Sequence, residues 1–223
     1  MKIGVIGAGR IGGNAARLFA AAGHDVLLSF SRDPDRLAEQ AAGLGARASS
    51  GRPRDAAQFG DVVMLSVPWS AIPDALGQAG PLDGKIVIDT TNQFGPGGVQ
   101  PLPGGATAAQ YNQQRTPGAR LVKSFNTLTA GFQASQAGRT PAGKRVVLFL
   151  CGDDEKAKQV VTRLIEDAGF APADLGGLAD AGPMEAPRRP GSVYGEEYRP
   201  ADARAAAEAL RAGRPLPPTP VYE

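Results

Sequence analysis

Gly7-Ala8-Gly9-Arg10-Ile11-Gly12 follows the β-branched run Lys2–Ile6 and opens an Ala-rich stretch, Ile11–Ala22, closed by Gly23. A strand, a glycine turn and a helix in that order form a seat for a dinucleotide diphosphate. The first glycine permits the tight turn, the second lets the backbone approach the diphosphate, and the third lets helix and strand pack closely. Free N–H groups and the positive end of the helix dipole then face the phosphates. Gly7, Gly9, Arg10, Ile11 and Gly12 are accordingly read as cofactor-binding residues.

The choice of dinucleotide is made at the tip of the second strand. An acidic residue there accepts a hydrogen bond from the ribose 2′-hydroxyl of NAD. This chain has Ser31-Arg32, with Arg36 one helical turn further on. A hydroxyl and a guanidinium suit a 2′-phosphate, because Arg matches phosphate oxygens bidentately. Asp33 is the residue that argues for NAD, but it precedes Pro34 and is placed to cap a helix. The expected cofactor is NADP(H).

Acid–base machinery is sparse. The one histidine, His24, falls at the amino end of the second strand, far from the cofactor edge, and reads as a surface turn residue. Tyr111 and Tyr194 are each followed four residues later by something other than Lys, so a Tyr-xxx-Lys pair is missing. A hydroxyacid or alcohol substrate, which needs a proton relay, fits poorly. Hydride transfer to a flavin-like ring needs mainly alignment, because the cofactor carries the chemistry. No catalytic side chain and no metal site are therefore assigned. Val67, Pro68 and Trp69 are placed to wall a nicotinamide pocket, and Thr90, Asn92, Asn126 and Thr127 to hydrogen-bond the carboxamide or the second ring. Trp69 also reads as a half-buried packing residue, and the Thr and Asn residues as turn caps.

The elements that must position these groups are legible as short apolar runs between Ala-rich stretches. Strands are expected at Lys2–Ile6, Val26–Ser31, Ala46–Ser49, Val62–Val67, Lys85–Asp89, Leu121–Phe125 and Val146–Leu150. Helices are expected at Ile11–Ala22, from Pro34 to Ala42, at Ala106–Arg115 and at Asp154–Ala168, with Phe94–Gly105 a surface loop. Strands that are apolar on both faces read as parallel strands covered by helices on each side. The fold class is α/β, a doubly wound Rossmann fold with a mostly parallel sheet, and ligands of such sheets bind beyond the carboxyl ends of the strands. From Pro183 onward the chain holds 8 of its 19 prolines, and only Pro200–Gly213 looks helical there. Residues 1–182 are expected to form the dinucleotide-binding domain. Residues 183–223 are expected to be a Pro-rich arm packing on that domain or on a partner subunit.

Bulk properties narrow the class further. With 42% hydrophobic and 21% charged residues in 223, one globular domain is expected. A net charge of +2 argues against nucleic acid as a partner. No apolar run reaches the roughly 20 residues of a membrane span. Met1 leads straight into a strand, so no signal peptide is expected. The single cysteine, Cys151, reads as a buried thiol and fits a reducing cytoplasm.

The ordered set Met1–Gly12, Ser31-Arg32, Ser66–Trp69, Asp89–Asn92, Val122–Leu128 and Gly152–Asp154 resembles the coenzyme F420-dependent NADP oxidoreductase family over residues 1 to about 182. It is also similar to the reductase domains of STEAP-type metalloreductases. The resemblance implies hydride transfer between NADP(H) and a deazaflavin, coenzyme F420, in a cytoplasmic homodimer, with FMN or FAD as other candidate rings. It puts the 2′-phosphate on Ser31, Arg32 and Arg36 and the nicotinamide beside Val67, Pro68 and Trp69. The chain departs from the family pattern in Met184–Pro190 and Tyr194–Tyr198, where Arg188 and Arg189 either meet an anionic tail of the second cofactor or form an exposed basic turn. Two alternatives stand beside this reading: an NADP(H)-binding sensor without turnover, and flavin-mediated ferric reduction.

Overall fold

The computed structural model describes residues 1–222. The chain runs β1 (Lys2–Ile6), α1 (Arg10–Ala21), β2 (Asp25–Ser29), α2 (Pro34–Ala42), β3 (Ala48–Ser50), α3 (Pro53–Phe59), β4 (Val62–Leu65), α4 (Ile72–Ala79) and β5 (Ile86–Asp89). A short hairpin, β6 (Phe94–Gly95) and β7 (Gly98–Val99), leads to α5 (Ala108–Arg115), β8 (Arg120–Ser124) and α6 (Ala130–Gln136). The chain then continues with β9 (Val147–Gly152), α7 (Glu155–Asp167), β10 (Ala171–Gly176) and α8 (Pro200–Arg211).

Eight strands form one sheet in the order β10-β9-β8-β5-β4-β1-β2-β3. The run from β3 to β8 is parallel throughout, and the order reverses between β1 and β4. That reversal opens a crevice at the carboxyl edge, where a dinucleotide can lie. The fold is the doubly wound α/β architecture read from the sequence.

Alternation within each strand divides the core in two. Ile3, Val5, Val62, Met64 and Val122 pack under α1, α2, α6 and α7. Ile6, Val63, Leu65, Val87 and Leu121 pack under α3, α4, α5 and α8. Both faces are buried, which is why the strands show no polar alternation in sequence.

Several local expectations need correction. β9 runs antiparallel to β8, although its sequence is as apolar as the parallel strands. Burial on both faces produces that composition whatever the strand direction. β10 is absent from the sequence reading because Pro172, Asp174 and Gly176 break its apolar signal; five of its six residues are only partly buried. Helices α3, α4 and α6 are also absent from it; each has only 7 or 8 residues, too few to show helical periodicity. Phe94–Gly105 is a hairpin followed by a single helical turn rather than a plain loop.

His24 is not a surface turn residue. It is 7% exposed, with Nε2 3.0 Å from Asp167 on α7 and Nδ1 3.3 Å from the N-terminal amine. It fastens the amino end of the sheet to the last helix on that face, an assignment invisible without the 143-residue contact.

The C-terminal segment lies along the α3/α4/α5 face. Met184, Val193 and Tyr198 enter the core, and the Val147 N–H donates to the Tyr198 carbonyl at 2.9 Å. Among the described residues, no helix is long and apolar enough to cross a membrane.

Candidate functional site

The glycine turn leaves β1 and enters α1 directly. Gly7 has φ +107°, and a side chain there would overlap the Ser66 carbonyl at the neighbouring strand tip. A side chain at Gly12 would overlap the Gly7 carbonyl. Those two glycines are therefore required by the fold itself. Gly9 is different. Its φ of −71° suits any residue, and a side chain would meet no protein atom within 4 Å. No contact among the described residues demands a glycine there, whereas a diphosphate approaching the backbone from outside would. Gly9 caps α1 without a side-chain hydrogen bond, and the first turn holds no acidic residue. The helix start is thus left open and positive, as a diphosphate requires. The residues fit a dinucleotide.

At the tip of β2 the backbone turns sharply, and Phe30 adopts φ +59°. Such a conformation in a non-glycine residue costs free energy and clusters at functional sites. The following residues, Ser31, Arg32 and Arg36, are all exposed. Ser31 Oγ is folded into a local turn with Asp33, donating to its carbonyl at 2.9 Å and accepting from its N–H at 3.1 Å. Asp33 caps α2, its carboxylate accepting from the Arg36 N–H at 3.0 Å. One oxygen of the acidic group that would favour a free 2′-hydroxyl is thus engaged in the cap, while the exposed Arg32 and Arg36 form no salt bridge among the described residues.

Across the crevice, β4 is followed by Val67, which is buried, Pro68, which is exposed, and Trp69, which is half-buried. Trp69 stacks on Tyr111 with ring centroids 6.0 Å apart and planes 29° from parallel. The Arg115 guanidinium lies 4.7 Å from the Trp69 ring and 4.5 Å from that of Tyr111. Tyr111 and Arg115 share a face of α5 at i, i+4 spacing. The sequence reading missed both as site residues. The spacing was visible, but the partner ring, 42 residues upstream, was not.

The polar clusters after β5 and β8 are brought together, and largely satisfy one another. Thr90 Oγ1 lies 3.0 Å from Ser66 Oγ. Asn92 Nδ2 donates to the Asn126 carbonyl at 3.1 Å, and Asn126 Nδ2 donates to Asn92 Oδ1 at 3.2 Å and to the Met184 carbonyl at 2.6 Å. Asn92 Oδ1 also accepts from the Ala186 N–H at 3.2 Å. This pair clamps the C-terminal segment over the strand tips. Asn126 Oδ1 is buried without a partner, although the residue is only 5% exposed. Thr127 is buried and contributes its carbonyl to the Gly195 N–H at 2.8 Å.

Beneath this clamp lies an ionic cluster that the sequence did not reveal. Lys123 is fully buried; its Nζ donates to Asp89 Oδ2 at 3.0 Å and to the Thr91 carbonyl at 2.7 Å, with Glu185 at 3.8 Å. Asp89 also accepts from the Thr91 N–H and hydroxyl and from Asn112 Nδ2. Glu185 accepts from the Ala108 and Ala109 N–H groups at 2.8 and 2.9 Å, capping α5 with both oxygens. The C-terminal segment therefore fixes the amino end of the helix that carries Tyr111 and Arg115. Each half of these pairs is ordinary in sequence, and the halves are 34 to 77 residues apart.

Residues 2–93 match the family described as NADP oxidoreductase, coenzyme F420-dependent. Over 185 residues, 83% of this chain, the sequence is 30% identical to the metalloreductase STEAP3 of Rattus norvegicus, of whose length it spans only 36%. Among solved structures, the Sinorhizobium meliloti protein SMa0349 is 35% identical with a TM-score of 0.77, over 89% of this chain and 95% of that one. An Arthrobacter protein described as an F420-dependent NADP-reductase is 27% identical with a TM-score of 0.68, over 81% of this chain and 87% of that one.

Proposed function

We propose that this chain, whose residues 2–93 match the family described as NADP oxidoreductase, coenzyme F420-dependent, passes hydride between NADP(H) and a flavin-type ring. The ring is a deazaflavin such as coenzyme F420, or FMN or FAD. The observation that carries the reading is Gly9, a glycine with an ordinary φ and empty space around it at the uncapped start of α1.

NADP(H) supplies or takes up the hydride when bound; the chain's own residues position and shield. The N–H groups at the start of α1 hold the diphosphate. Arg32 and Arg36 flank the 2′-phosphate, beside Asp33, one oxygen of which caps α2. Trp69, braced by Tyr111 and Arg115, forms one wall of the nicotinamide pocket. The Asn92–Asn126 clamp holds the C-terminal segment over the strand tips, which excludes water. No proton need move at the site, which agrees with His24 being engaged at the opposite end of the sheet. The reading includes a homodimer in the cytoplasm, in keeping with a lone buried cysteine.

The test is anaerobic mixing with NADPH and each of F420, FMN and FAD, following NADPH absorbance. Steady loss with at least one ring is expected. Tight NADPH binding with no oxidation by any acceptor would turn the assignment toward a sensor. The likeness to STEAP3 favours a second reading, in which a bound flavin passes electrons to a metal ion. Ferric reduction that depends on added flavin would select it.

A further inference from the structure

The two arginines of the C-terminal segment have different fates. Arg188 is neutralised: its guanidinium holds both oxygens of Glu196, at 2.5 and 2.9 Å. Arg189 is held but not neutralised. Its Nη1 donates to the carbonyls of Glu185 and Pro187, both at 2.9 Å, and Nη2 to the Gly182 carbonyl at 2.6 Å. Three neutral acceptors fix the side chain without cancelling its charge, and no carboxylate among the described residues pairs with it. Its Nε–H and one Nη2 N–H remain uncommitted, out of the five donors a guanidinium carries.

Arg189 lines an open surface cleft of about 470 Å³. The β6–β7 hairpin and the loop before α5 form one side, through Gln93, Gln100, Leu102 and Thr107; Glu185 and Arg189 form the other. Glu185 also lines the cleft and keeps its negative charge, which faces the amino end of α5 and Lys123. It is 4% exposed and spends its oxygens on α5, beside Lys123. Gln93 Oε1 is buried without a partner at the same place. The cleft adjoins the candidate hydride site: Gln93 follows Asn92, Ala186 is bonded to Asn92, and β6 packs on the turn carrying Trp69.

We propose that this cleft receives the substituent of the acceptor ring and that Arg189 recognises an oxyanion on it, a phosphate or a carboxylate. The proposal rests on the hydride-transfer reading for the identity of the ligand, while the site itself rests on the cleft and its charge. It gives the oxyanion-bearing substituent of the acceptor a part in its binding. A locked guanidinium loses little freedom on forming the contact, so it suits bidentate recognition.

The experiment compares FMN, carboxymethylflavin and riboflavin, which carry a phosphate, a carboxylate and neither, on the wild-type chain and on Arg189→Gln. Equilibrium binding is read by flavin fluorescence without NADPH, and KM by anaerobic turnover. Arg189→Gln is expected to weaken FMN or carboxymethylflavin by about tenfold, the size of a lost charge-assisted contact. Whichever of the two ligands loses more affinity on this substitution identifies the oxyanion. Riboflavin binding and the KM for NADPH should stay unchanged. An equal loss for riboflavin would assign Arg189 to holding the segment alone, and unchanged FMN and carboxymethylflavin binding would remove the site. Lack of turnover with every ring would count against the proposed function, yet the binding difference would still decide the role of Arg189.

Discussion

Replacing Gly9 with alanine separates what the fold needs from what a ligand needs. The native φ of −71° is open to alanine, and the new methyl group would touch no protein atom within 4 Å. Alanine also reduces the freedom of the unfolded chain, by about 0.4–1 kcal/mol where the conformation is compatible. Gly9→Ala should therefore unfold in urea within about 1 kcal/mol of wild type. Its methyl group, however, occupies the space through which a diphosphate reaches the N–H groups of α1. Each charge-assisted hydrogen bond lost there is worth about 1.5–3 kcal/mol. NADPH affinity, measured by calorimetry, should fall by about 10- to 150-fold. NADH, which shares the diphosphate, should lose by the same factor. Gly12→Ala is the control: its methyl group would overlap the Gly7 carbonyl, so stability falls as well, by about 1–3 kcal/mol for an overpacked site. A Gly9→Ala protein that folds normally and binds NADPH as tightly as wild type would refute the placement of the diphosphate on this turn.

The tip of β2 makes a complementary prediction: Arg32→Ala should weaken NADPH by about 1–3 kcal/mol and leave NADH unchanged, and equal losses by calorimetry would contradict a 2′-phosphate contact. Lys123→Met leaves Asp89 without its buried counter-charge, and breaking such a pair costs about 3–5 kcal/mol. At about 2–4 °C per kcal/mol for a chain of this size, the melting temperature should drop by about 6–20 °C. Pairing the change with Asp89→Asn should recover part of the loss. Burial pushes the Cys151 thiol pKa up, with smaller contributions from Asp174, Asp180 and Glu185. Because the folded value lies above the unfolded one, stability from the neutral thiol is complete below about pH 8.5 and declines above it. Relative to Cys151→Ala, the wild-type chain should lose about 2 kcal/mol between pH 7 and about pH 10 in urea titrations. Parallel curves would show that the thiol is not kept neutral by the fold.

The sequence alone determined the local chemistry of this protein. A glycine turn, a capped helix start and an apolar strand are written in neighbouring residues, since backbone geometry restricts which types fit. Gly7 and Gly12 are explained by contacts within the motif and at the adjoining strand tip, and the Asp33 cap by a bond three residues long. Tertiary structure decided everything that depends on distant partners. Trp69 became a braced wall only when α5 brought Tyr111 and Arg115 against it. Lys123, Asp89 and Glu185 became one cluster only when β5, β8 and the C-terminal segment met. Arg188 and Arg189, adjacent and alike in sequence, were distinguished by which acceptors the folded segment offered each. The strand direction of β9 followed the same rule, because burial on both faces selects composition and is blind to orientation.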